Sequence, residues 1–129
     1  MDEPLYREEL LEHYRHPRNY GELVDAQISA EVFNPSCGDK IAISIHVEDG
    51  RLTGIAFQGK GCVISQASAS MLTEHVKLSS LEELKNLSQE RMLALLGITL
   101  GTTRMRCALL ALETLHKTLE LYRQGGDNA

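Results

Sequence analysis

Apolar residues change their spacing along this chain, and each change predicts an element. Pro4 stands where a first helical turn tolerates it, and Leu5, Leu10 and Leu11 recur among charged residues. That pattern predicts an amphipathic helix ending before His16-Pro17. Beyond the turn-rich Arg18-Asn19-Tyr20-Gly21, residues 26–33 (AQISAEVF) read as a strand. The stretch IAISIHVEDGRLTGIAFQ alternates on both sides of Asp49-Gly50 and reads as a hairpin. Parity constrains its register. A two-residue Asp49-Gly50 turn pairs Val47 with Leu52 and leaves Ile55 and Phe57 on the face opposite Ile41, Ile43 and Ile45. A three-residue loop, Glu48-Asp49-Gly50, with Gly50 left-handed in a bulge, pairs Val47 with Arg51, Ile43 with Ile55 and Ile41 with Phe57. The second register keeps one apolar face and is the one expected.

From Cys62 the period becomes helical: in CVISQASASMLTEHV, small Ala and Ser residues alternate with Val63, Ile64, Met71 and Leu72, so this helix can approach a sheet closely. Ser80 and Glu83 form a capping box ahead of a short helix over 81–87, and 89–96 (QERMLALL) adds a turn or two before Gly97. A last helix is expected from near Thr103, with Met105, Leu109, Leu112, Leu115 and Leu119 as its core stripe. Antiparallel strands followed by helices make the fold class α+β. One domain over residues 1–123 is expected, with 124–129 as a disordered tail.

Charge narrows the partners. A formal net charge of −5 argues against nucleic acid or an anionic membrane, both of which would repel the chain. The N-terminus MDEPLYREELLEHYRHP is charged throughout and has no apolar core of signal-peptide length, and no later segment approaches a membrane span. A cytoplasmic protein with a protein or metal partner is the expectation.

Three cysteines remain to be explained as thiols, because an odd number with no secretion signal argues against a disulfide framework. The count alone is equally consistent with unrelated buried thiols that behave as small hydrophobes. Position adds more. Cys37 precedes a strand, Cys62 opens a helix after the glycines of QGKGC, and Cys107 is expected in the first turn of the last helix. Helices packed with the same end up would bring the three thiols together with Asp39, two residues from Cys37. Three thiolates and a carboxylate suit zinc or an iron–sulfur cluster. There is no CxxC pair, so on spacing alone the metal reading depends on the fold. Helix N-termini favour thiolate at Cys62 and Cys107, and Arg104 and Arg106 would add positive potential beside Cys107 unless they are merely solvated charges. Asp39 in SCGDK is alternatively an ordinary turn residue. His13, His16, His46, His75 and His116 share no spacing with the cysteines and are not taken as ligands.

These segments resemble the U-type iron–sulfur cluster assembly proteins: the IscU-like scaffolds, the SufU-like proteins and the N-terminal domain of NifU. HYRHPRNYGEL resembles the opening motif of that family, and NPSCGD, FQGKGCVISQASASML and RMRCALLALETL resemble its cysteine segments in order. The resemblance implies a three-stranded antiparallel sheet with helices packed on one face. It also implies a metal site of Cys37, Asp39, Cys62 and Cys107 that holds zinc or a transient cluster, [2Fe-2S] first among the types. The implied partners are a cysteine desulfurase that supplies persulfide sulfur and the apo-proteins that accept the product. Cys37 and Cys107 are the candidate persulfide acceptors. Cys37 is favoured by loop mobility between Ser36 and Gly38, Cys107 by the helix-end and arginine fields.

Two departures bear on which branch this is. Arg106 stands where the IscU branch has a histidine, and the Leu-Pro-Pro-Val-Lys chaperone motif is replaced by TLGTTRMR, so a dedicated Hsp70-type chaperone is not expected. NPSCGD and RMRC look SufU-like, yet the longer SufU insertion between the second and third cysteines is missing, and Thr102 stands where SufU proteins usually have proline. The expected role is a non-enzymatic scaffold. The alternative is a zinc-dependent sulfur carrier, which would be a sulfurtransferase.

Overall fold

The computed structural model describes residues 3–35, 38–97 and 99–127. Among them, helix α1 (Glu3–Arg15) precedes strands β1 (Ile28–Asn34), β2 (Asp39–Glu48) and β3 (Arg51–Lys60). Helices α2 (Val63–His75), α3 (Leu81–Lys85), α4 (Gln89–Leu96) and α5 (Thr102–Asp127) follow. The strands form one antiparallel sheet in the order β1-β2-β3, so the α+β class holds. No helix among the described residues is long and apolar enough to cross a membrane.

One sheet face carries the core. Ile41, Ile43, Ile45 and Val47 alternate on β2 with half-buried Lys40, Ala42, Ser44 and His46, and the isoleucines are completely buried. Alpha2 and α5 lie side by side over this face, α5 across β1 and β2 and α2 across β3. Helix α1 docks on α2, and α4 packs against both α2 and α5. Alpha2 is therefore covered on almost every side, with Ile64, Ser65, Ala67, Ser68, Ala69, Ser70, Met71, Leu72 and Thr73 all buried. Its run of Ala and Ser is what lets a helix be enclosed this closely.

The hairpin corrects the expected register. The loop is the two-residue Asp49-Gly50 turn, with φ of 52° and 75°, and Glu48 pairs with Arg51. Both central residues are left-handed, the geometry that matches strand twist. Val47 pairs with Leu52 rather than Arg51, Ile43 with Phe57 rather than Ile55, and Ile41 with Gly59 rather than Phe57. Parity is restored by a different device. The register shifts between His46 and Val47, leaving Thr53 as an extra residue in β3, and Ile55 and Phe57 return to the buried face. The Thr53 hydroxyl donates to the His46 carbonyl at 3.2 Å, fixing the bulge.

The free edge of β3 is closed at both ends. Phe57 donates its N–H to the Asn19 carbonyl at 2.8 Å, and Gly21 donates back to the Phe57 carbonyl at 2.9 Å. At the other end Leu52 donates to Ser79 and Leu78 donates to Leu52, each at 2.9 Å. The opening motif thus has a structural role: it covers a sheet edge that would otherwise template association.

The capping box is present as read, with Ser80 accepting from the Glu83 N–H at 3.1 Å and Glu83 accepting from the Ser80 N–H at 2.8 Å. Alpha5 differs in two respects. Its buried face is Cys107, Ala108, Leu110, Ala111, Leu112, Thr114, Leu115 and Thr118, whereas Met105 is exposed and Leu109 and Leu119 are half-buried. Wedged between the sheet and α2, it presents small residues to its neighbours. Thr114 and Thr118 satisfy their hydroxyls on the carbonyls of Leu110 and Thr114, at 2.8 and 2.7 Å. Residues 124–127, expected in a tail, continue the helix.

Candidate metal centre

Chain topology brings one acid and two thiols to the same end of the sheet. Asp39 is the first residue of β2 and pairs with Asn34 of β1, and its side chain is 2% exposed. Cys62 follows β3 across Gly61 and stands at the N-cap position of α2, while Cys107 enters from α5. One ligand atom from each of Asp39, Cys62 and Cys107 lies within 4.8 Å of the others. A tetrahedral ion with metal–sulfur bonds of about 2.3 Å requires ligand atoms about 3.5–4 Å apart, so this donor set fits such an ion with little movement.

Asp39 is oriented by α2. Its Oδ1 accepts the Cys62 N–H at 3.0 Å, and its Oδ2 accepts the Cys62 thiol at 3.3 Å. The carboxylate thus sits at a helix N-terminus, where the backbone amides favour negative charge. Gly61 permits this contact. Its φ is +140°, and a Cβ built there would overlap the Asp39 carboxyl group and come to 2.9 Å of its Cβ. Ser65 ties the first turn of α2 by donating to the Cys62 carbonyl at 3.1 Å.

The three residues differ in exposure. Asp39 and Cys107 are buried while Cys62 is exposed. Cys37 lies outside the described residues. The loop that carries it leaves from Asn34 and returns at Gly38, whose N–H donates to the Asn34 carbonyl at 2.8 Å and whose φ is +79°.

Cys107 is not in the first turn of its helix. Alpha5 begins at Thr102, which puts the thiol in the second turn, where the field of the helix end has largely faded. Arg104 and Arg106 are exposed on the turn leading to it. No histidine belongs to the described metal-ligating group. His13 instead sets its Nδ1 2.7 Å from the Ser70 hydroxyl, which also accepts the Arg18 N–H at 2.9 Å. Burial, helped by the charge of Arg18, holds the His13 pKa below the usual histidine value. His116 Nε2 meets the Leu84 carbonyl at 3.1 Å.

Sequence reasoning missed Gly61 and Ser65. Both stand in the quoted cysteine segment, but their roles depend on Asp39 arriving from another strand.

Residues 5–128 match the profile described as NifU-like N terminal domain. An iron–sulfur cluster assembly scaffold protein, IscU 1 of Archaeoglobus fulgidus, is 34% identical over 123 residues, covering 95% of this chain and 80% of the relative. The zinc-dependent sulfurtransferase SufU of Bacillus subtilis is 33% identical over 130 aligned positions, covering 88% of each. In structure, the N-terminal part of a nitrogen-fixing NifU-like protein from Brucella abortus superimposes with a TM-score of 0.77 at 21% identity, over 92% of this chain and 94% of that one. A match along nearly the whole chain, an Asp–Cys–Cys cluster at the sheet end and the shared three-stranded architecture lead to one assignment: this chain belongs to the NifU-like N-terminal domain family.

Proposed function

We propose that this chain is a scaffold on which an iron–sulfur cluster is assembled and from which it is passed to acceptor proteins. The observation that carries this reading is the convergence of Asp39, Cys62 and Cys107 in one group, with Cys62 exposed. Cys37 is the fourth member of the proposed ligand set. In this reading the cluster is cargo, [2Fe-2S] first among the types that the family resemblance implies, and the site must hold it and let it go. A carboxylate is a poorer ligand than thiolate for a soft site, so Asp39 gives the set one weak bond through which release can begin. The partners are a cysteine desulfurase and acceptor apo-proteins, and the setting is the cytoplasm.

Sulfur arrives by exchange. A thiolate attacks the outer sulfur of the persulfide on the desulfurase, a new S–S bond forms, the old one breaks, and the desulfurase cysteine leaves as thiolate. Burial of Cys107 leaves it little room to meet a partner, which favours Cys37 as first acceptor.

A second reading is supported by the likeness to SufU and by Arg106 in place of a histidine before the third cysteine. In it zinc rests on Cys37, Asp39, Cys62 and Cys107, keeping the thiols deprotonated, and the chain relays persulfide as a sulfurtransferase. The two are separated by anaerobic incubation with a desulfurase, cysteine and ferrous iron, using zinc-loaded and metal-free protein. The scaffold reading expects a visible cluster chromophore on the metal-free protein that transfers to an acceptor. Strong stimulation of desulfurase turnover only with zinc, and no chromophore, overturns it.

A further inference from the structure

Among the described residues, the buried side-chain polar atoms with no hydrogen-bond partner are Gln66 Nε2 and Ser68 Oγ. A buried amide donor left unmade is destabilising and calls for an acceptor. Gln66 lies one helical turn beyond Cys62 on α2, and long helical side chains lean back toward the N-terminus, here toward the Cys62 turn. Its Nε2 is 3.1 Å from the position a Cβ would occupy on Gly59. Gly59 pairs with Ile41, which stands two residues along β2 from Asp39 and so shares its face of the sheet. The orphan donor is therefore in the row immediately beneath Asp39. Gly59 makes the space: a Cβ there would come to 2.6 Å of Ile41 Cδ1 and 2.7 Å of the Lys40 carbonyl.

Asp39 Oδ2 accepts the Cys62 thiol. Coordination of Cys62 Sγ replaces that S–H by a metal bond, and the carboxylate loses this donor. We propose that Gln66 is a positioning residue of the loaded site: its Nε2–H donates to Asp39 Oδ2 when a metal or cluster takes the Cys62 sulfur, holding the carboxylate in place without adding charge. The proposal rests on the metal-holding reading of Asp39, Cys62 and Cys107.

Cobalt(II) is the probe, titrated into metal-free wild type, Gln66→Met and Gln66→Leu while the ligand-field and thiolate-to-cobalt absorption is recorded, with thermal unfolding of each metal-free protein alongside. The expected result is about tenfold weaker cobalt binding in both variants, the range found when a group supporting a metal ligand is removed. Their absorption bands should shift, and their metal-free forms should unfold at or above the wild-type temperature, because an apolar side chain replaces an unsatisfied amide. Unchanged affinity and an unchanged spectrum overturn the proposal. So does a loss of metal-free stability in both variants, which would mean that the amide already has a structural partner. If wild type itself binds no cobalt, the metal-holding reading fails and the role of Gln66 falls with it.

Discussion

Gly61→Ala isolates the contact on which the site is built. At φ +140° only glycine is at ease, and another residue costs about 1–3 kcal/mol in backbone strain. The new methyl would also overlap the Asp39 carboxyl group. Pushing the carboxylate away breaks its bonds from the Cys62 N–H and thiol, at 3.0 and 3.3 Å. Bonds to a charged acceptor are worth about 1.5–3 kcal/mol, so the total loss is about 3–5 kcal/mol once some relaxation is allowed. Gly38→Ala is the control: its φ is +79° and nothing lies within 4 Å of the added Cβ, so strain alone applies, about 1–2 kcal/mol. Urea unfolding of the metal-free proteins gives both values from midpoint and slope. Gly61→Ala should lose about 1–4 kcal/mol more than Gly38→Ala. Equal losses in the two variants would refute the claim that Gly61 exists to admit Asp39.

On the proposed ligand set, Asp39→Ala should slow transfer of a reconstituted cluster to an apo-acceptor, because it removes the weak bond through which release would begin; transfer as fast as wild type with the same metal content would count against this. The same variant should unfold about 1–3 kcal/mol earlier without metal, since the Cys62 N–H loses its acceptor. The His13 pKa is lowered in the folded protein, so the folded state binds fewer protons, and stability is full above the ordinary histidine pKa and declines as pH falls through it. Melting temperatures from pH 7.5 to 5 should therefore drop more steeply in wild type than in His13→Gln. Ala111→Leu places a large side chain where α5 is completely buried, and should destabilise by about 1–3 kcal/mol in denaturant unfolding; a neutral result would mean that α5 is less closely held than described.

Element order was readable because each element announces its period and its ends. Pro4, the Ser80–Glu83 box and Gly97, which is left-handed at φ +69°, mark boundaries by local chemistry, and local chemistry is visible in sequence. The hairpin shows the limit. Parity correctly required Ile55 and Phe57 on the face of Ile43, but a three-residue loop and a bulge at Thr53 both satisfy parity, and the choice is made by the tolerance of Asp49 for positive φ. For α5, leucine spacing misled because burial follows what surrounds the helix. Enclosure by the sheet and α2 selects Ala108, Ala111, Thr114 and Thr118 for the inside and leaves Met105 out. At the site, Asp39, Cys62 and Cys107 were named from residue type and element position, and the fold brings all three together. The thiol–carboxylate bond and the vacant donor of Gln66 join residues more than 20 positions apart or depend on a glycine in another strand, and no local pattern encodes them.

The enclosure of α2 has a consequence for motion. Amide exchange in such a helix should require near-global opening, and protection should rise steeply within one turn of Cys62. This cysteine is exposed, yet it is anchored to the enclosed helix. On the proposed function, loading and unloading would then leave Cys62 stationary. In a mechanical sense the site is a vice with one fixed jaw.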